Sequence, residues 1–136
     1  MRPIALDTNT YAAFLRAEPV ATKVFESADV LQLSTVVLGE LLAGFACGSR
    51  EERNRDQLAQ FLASPRVSAM PLTSTTADAY ALIYRSLRKR GTPIPTNDLW
   101  IAASCLEHGT ALFSYDKHFA VVEGLRWGQS LEAFLP

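Results

Sequence analysis

This 136-residue chain predicts an α/β fold, built on a parallel sheet with helices covering both faces. Three observations lead there. Short apolar runs alternate with segments of helical periodicity along the whole chain. Those runs are almost continuously apolar, which marks strands buried on both sides rather than on one. No internal repeat, low-complexity tract or linker breaks the alternation, so residues 1–136 are expected to form one domain with its own core.

The elements follow in order. Pro3 to Leu6 suits a first strand, and Tyr11, Phe14 and Leu15 then recur at helical spacing. Pro19 separates this from a second helix over roughly Val20 to Ala28. Val30-Leu31-Gln32-Leu33 is the second strand, with Ser34 or Thr35 capping a helix that Gly48 ends. Another helix spans about Glu51 to Ala63, with Leu58, Phe61 and Leu62 on its inner face, and Val67 to Leu72 is a third strand. Thr75 or Thr76 caps a long helix with the stripe Tyr80, Ile83, Tyr84 and Leu87, closed at Gly91. Pro93 and Pro95 lead in extended form to a helix from Asp98 to His108. Ala111-Leu112-Phe113 is the fourth strand, and Leu125-Arg126-Trp127 a short fifth.

A formal net charge of -1 argues against nucleic-acid binding through bulk charge. It leaves room for an enzyme that holds phosphate through metal ions and a few arginines. Cys47 and Cys105 lie in apolar stretches and are expected to be buried free thiols of a reducing cytoplasm, one disulfide being the alternative. No apolar run approaches ~20 residues, so no membrane span is expected. Asp7 interrupts the N-terminal apolar run too early for a secretion signal.

Four acids stand where charge is otherwise absent. Asp7 is the only charge between Arg2 and Arg16, and Glu40 the only one between Asp29 and Arg50. Asp98 is alone between Arg90 and Glu107, while Asp116 follows the apolar Ala111-Leu112-Phe113. Each has an ordinary explanation. Asp7 can cap the first helix, Asp98 can favour a helix N-terminus, and Asp116 can be a turn residue. Glu40 resists such readings, because Val36, Val37, Ala43 and Gly44 around it suggest a buried face unsuited to a surface ion pair.

Jointly the four point further. In parallel sheets ligands sit at the carboxyl ends of strands, and Asp7 and Asp116 follow the first and fourth strands. Glu40 and Asp98 lie near helix starts, so all four are expected at one sheet edge. Close carboxylates repel, and Mg²⁺ or Mn²⁺ relieves that repulsion through oxygen ligands. No His or Cys stands at a spacing that suggests zinc. Two such metals would suit phosphodiester cleavage.

These residues resemble the PIN-domain ribonucleases, most closely the toxin subunits of VapBC-type toxin–antitoxin pairs. The likeness rests on Leu6-Asp7-Thr8-Asn9, on Glu40 within Val36-Val37-Leu38-Gly39-Glu40-Leu41-Leu42-Ala43-Gly44, on Ile94 to Ala103, and on Leu112 to Phe119. It implies a three-layer α/β/α sandwich around a parallel sheet, a homodimer, and Mg²⁺- or Mn²⁺-dependent cleavage of RNA. It further implies that Asp7, Glu40, Asp98 and Asp116 hold the metal, that Asn9 and Ser114 support it, and that a VapB-like antitoxin is the partner. Ser114 stands where Thr is frequent, which keeps the hydroxyl.

The remaining candidates have plainer uses. Arg85, Arg88, Lys89 and Arg90 end a helix, where the dipole favours positive charge; RNA phosphate is their second reading. His118 reads as an exposed turn residue before it reads as a proton carrier. Trp100 and the tyrosine stripe read as core or dimer surface rather than base-stacking platforms. Two rivals stand beside the nuclease. An aspartate-nucleophile phosphatase resembles Asp-x-Asp-x-Thr, but Asp7-Thr8-Asn9-Thr10 lacks the second acid. A non-catalytic α/β binding module would use the acids as caps alone.

Overall fold

The computed structural model describes residues 3–136. In chain order it contains β1 (Ile4–Leu6), α1 (Thr8–Leu15), α2 (Pro19–Ser27), β2 (Leu31–Ser34), α3 (Thr35–Ala46), α4 (Glu51–Leu62) and β3 (Val67–Met70). There follow α5 (Ser74–Arg90), α6 (Thr96–His108), β4 (Ala111–Phe113) and β5 (Trp127–Gly128), with 3₁₀ turns at Lys117–Val121 and Leu131–Phe134. All pairings are parallel, in the order β3-β2-β1-β4-β5. The predicted α/β/α sandwich is what forms.

Alternation along β1 and β4 divides the core in two. Ile4, Leu6, Leu31 and Phe113 pack with Ala21, Val24 and Phe25 of α2 on one face. Ala5, Leu33 and Leu112 pack with Val37, Ile83, Leu87, Ile101 and Ala102 on the other. Phe61 of α4 closes the gap between the layers, lying within 6.3 Å of Phe14 and 6.0 Å of Phe25, ring centre to ring centre. The chain goes from β1 to β2 on one side and later returns to place β4 on the other. The crevice therefore opens beyond the carboxyl ends of β1 and β4, where such sheets bind ligands.

Several boundaries differ from expectation. The helix α5 is capped at Thr73, not at Thr75 or Thr76; Thr76 instead accepts a hydrogen bond from the Thr73 N–H at 3.0 Å. The local run Thr73-Ser74-Thr75-Thr76 offers a cap at every position, and burial of Thr76 against Glu107 selects the register. Helix α6 starts at Thr96 rather than Asp98, because Pro95 has no N–H to lose and sits just before its first turn. Strand β3 stops at Met70, and its Ser68 and Ala69 are exposed, as befits an edge strand. Strand β5 is shifted to Trp127–Gly128, where a side chain at Gly128 would collide with Ala133. Gly91 ends α5 in the left-handed conformation (φ 68°), as its position suggested. Both cysteines are free, but Cys47 is exposed rather than buried, since α3 has left the core by its last turn. Burial pushes the Cys105 thiol up to about 12, with the Asp7 charge adding to it. No helix among the described residues is long and apolar enough to cross a membrane.

Candidate functional site

Parallel pairing of Leu6 with Phe113 places the next residues of the two strands, Asp7 and Ser114, side by side at the crevice. Asp7 caps α1: its Oδ1 accepts from the Thr10 N–H at 3.0 Å and lies 3.0 Å from the Thr10 hydroxyl. Thr10 reciprocates by accepting from the Asp7 N–H at 3.1 Å, completing a capping box. The Ser114 hydroxyl donates to Asp7 Oδ2 and accepts from the Asp116 N–H at 3.0 Å. Asp7, Thr10 and Ser114 are all buried. Capping and site-building are thus two uses of one carboxylate, one for each oxygen.

The helix-borne acids reach the same place through connectors. Glu40, two turns into α3, accepts from the Thr8 hydroxyl at 3.1 Å and from the Asn97 amide at 3.3 Å. Thr8 follows Asp7 and Asn97 precedes Asp98, so Glu40 is tied to both neighbours in sequence. Its surroundings are less buried than expected. Val37 is buried, Val36 partly so, and Ala43 and Gly44 are exposed, because the small residues lie on the outer side of α3.

Asp98, in the first turn of α6, and Asp116, ahead of the 3₁₀ turn, converge on His118. The ring Nδ1 lies 2.9 Å from Asp98 Oδ2 and 3.1 Å from Asp116 Oδ1. The His118 backbone N–H also donates to Asp116 Oδ1 at 2.8 Å. Burial raises the Asp98 carboxyl above its usual range; the His118 hydrogen bond opposes this, and the Asp116 and Asp7 charges add to it. The hydrogen bond to Asp98 in turn raises the His118 imidazole, against a lowering by desolvation and with support from Asp116. One imidazole nitrogen thus stands where two carboxylates call for a positive charge.

Two carboxylates and one imidazole gathered in this way could hold a divalent cation, and burial first, with the Asp116 and Asp7 charges after it, raises the Asp98 carboxyl. Ligand atoms of Asp98, Asp116 and His118 all lie within 4.8 Å of one another. Asp7 and Glu40 fall outside that grouping and join it through Ser114, Thr8 and Asn97.

Of the sequence candidates, Ser114 contacts Asp7 directly, whereas Asn9 is exposed on α1 and makes no hydrogen bond to the acids among the described residues. The neighbouring Thr8 does so instead. Arg85 and Arg88 are exposed along α5. Thr8, Thr10 and Asn97 were missed as functional residues. Their signal was present, since each is a small polar residue within three positions of an isolated acid at a helix start.

The PIN domain family matches residues 4–125. The chain belongs to this family. Among its PIN domain relatives, the ribonuclease VapC4 of Mycobacterium tuberculosis is 31% identical over 90 residues, covering 66% of this chain and 69% of the relative. The ribonuclease VapC1 of Rickettsia felis is 30% identical over 125 residues, covering 90% and 92%. Among solved structures, VapBC2 from Rickettsia felis bound to a promoter DNA fragment superposes with a TM-score of 0.81 at 22% identity, covering 93% of this chain and 97% of that one. As in other parallel α/β folds, the site of this PIN domain opens at the strand carboxyl ends.

Proposed function

We propose that this PIN domain is a metal-dependent endoribonuclease that hydrolyses RNA phosphodiester bonds, acting as the toxin of a toxin–antitoxin pair that inhibits translation. One observation supports it above the others: acids from four separate segments are joined at the sheet's switch point by Thr8, Asn97, Ser114 and His118. Membership of a family whose relatives here are named ribonuclease VapC gives the site its substrate class.

In this reading Asp7, Glu40, Asp98 and Asp116 hold Mg²⁺ or Mn²⁺. When bound, the cation supplies an activated water and neutralises charge on the phosphate. The chain's own part is orientation. Thr10 and Ser114 hold Asp7 so that one oxygen serves the fold and the other faces the crevice. Thr8 and Asn97 each occupy one Glu40 oxygen, leaving lone pairs free to orient a water. Asn9 supports from the rim, and Arg85 and Arg88 steady RNA phosphates away from the reacting bond. The partners are a VapB-like antitoxin, as in the VapBC assemblies with this fold, and a second copy of the chain. The cell compartment is the cytoplasm, where the two free thiols persist.

The test is direct. Purified protein is expected to cleave RNA with Mg²⁺ or Mn²⁺, to stop on chelation, and to resume when metal is restored. Expression is expected to arrest growth, and co-expression of a small protein encoded beside the gene to relieve the arrest. Full cleavage in chelator would overturn the metal mechanism and leave the fold assignment standing.

A further inference from the structure

We propose that His118 is itself a metal ligand: its Nδ1 joins Asp98 and Asp116 as a nitrogen donor, tilting the site from Mg²⁺ toward Mn²⁺. This rests on the reading of the site as a metal-dependent nuclease centre.

The first ground is spacing. Nδ1 is 2.9 Å from Asp98 Oδ2 and 3.1 Å from Asp116 Oδ1. Adjacent ligands of an octahedral ion with bonds of 2.0–2.1 Å are separated by about 3 Å. Nδ1 therefore already stands at an octahedral-edge distance from an oxygen of each acid, with all three ligand atoms within 4.8 Å of one another, and an ion can replace the hydrogen bonds with little movement of the side chains.

The second ground is how the ring is held. The turn that carries it is fixed on both sides, by Asp116 accepting the His118 backbone N–H and by Phe119 buried in the core. The ring itself is 52% exposed and contacts the two carboxylates through Nδ1 alone. An ion that displaces the Nδ1 proton would meet the nitrogen lone pair in the direction that the hydrogen bond to Asp98 now takes. Nothing has to unpack for that nitrogen to bind an ion.

The chemistry then sets the preference. Mg²⁺ favours an all-oxygen shell and gives up water reluctantly, whereas imidazole nitrogen suits first-row transition ions. A site of carboxylates alone would discriminate little; one nitrogen shifts the balance toward Mn²⁺.

Pulsed electron paramagnetic resonance on the full-length protein with Mn²⁺ alone reads the bond itself. Wild type is expected to show a directly coordinated nitrogen coupling that changes on ¹⁵N-histidine labelling and disappears in His118→Gln. The same variant is expected to weaken Mn²⁺ binding by at least about tenfold, and Mg²⁺ binding by much less. Circular dichroism checks that the variant folds, which the exposure of the ring favours. Mn²⁺ bound without nitrogen coupling, or equal weakening of both ions, overturns the role of His118 and leaves an all-carboxylate nuclease site intact. Absence of Mn²⁺ and Mg²⁺ binding, together with cleavage in chelator, overturns the metal reading as well.

Discussion

Asp7 is 7% exposed and its carboxylate is held by Thr10 and Ser114, whereas the Asp98 and Asp116 side chains are 16% and 36% exposed and share one imidazole. The first arrangement belongs to the strands. It is built from uncharged hydroxyls and backbone N–H groups that are in place whenever β1 and β4 pair. The second belongs to a helix start and a turn, and it is organised by charge. A buried carboxylate with its hydrogen bonds made is set in position without an ion, while partly exposed acids that repel each other would gain order from one. One half of the site is therefore part of the folding core, and the other half could hold a cation.

The sharpest way to break this comparison is to neutralise one acid in each half. Asp7→Asn and Asp98→Asn are both expected to cut RNA cleavage by at least about a hundredfold, an effect on the scale of losing a preorganised electrostatic group. Asn retains an oxygen that can cap α1, so Asp7→Asn keeps its fold by circular dichroism. Asp98→Asn should change the metal-free melting temperature little, since the cost of burying the carboxylate beside Asp116 is set against its hydrogen bond with His118. A collapse of the fold in Asp98→Asn would place both halves in the folding core.

Thr10→Val isolates the strand-borne half. It removes a buried hydroxyl shared by the Asp7 N–H and carboxylate, and is expected to cost about 1–3 kcal/mol of unfolding free energy in urea titration. Asn97→Ala isolates the helix-borne half by releasing one Glu40 oxygen. Cleavage is expected to fall about tenfold through weaker metal binding, with little change in the urea midpoint. If the two variants exchange these signatures, the division of labour is wrong. Smallest is Arg88→Ala, for which KM for RNA is expected to rise a few-fold at low salt and not at high salt, with kcat unchanged. A kcat effect would bring α5 into the site itself.

The parts of the fold that were legible share a cause. Apolar runs bounded by turn residues revealed β1, β2 and β4, and periodicity with terminal glycines revealed α5 and α6 to within a few residues. Where several residues could serve equally, as in Thr73-Ser74-Thr75-Thr76, local chemistry left the choice open and packing of Thr76 decided it. Exposure of Cys47, Ala43 and Gly44 was illegible for a related reason: an apolar or small residue near a helix end carries no mark of which side faces water. The acids could be noticed because isolated charge in apolar sequence is unusual. His118 reads from sequence first as a turn residue and second as a proton carrier, because a histidine after a turn aspartate is ordinary until α6 brings Asp98 against it.

By itself, then, the sequence determined the class of fold, the direction of the strands and which four carboxylates were out of place. These follow from periodicity and from the cost of burying charge, both of which act on neighbouring residues. Tertiary structure alone decided that Thr8, Asn97, Ser114 and His118 join the acids. Contacts of that kind depend on strand register and helix orientation. They link residues as far apart as Asp7 and Ser114, whose meeting is set by the pairing of Leu6 with Phe113 and by no local feature of either segment.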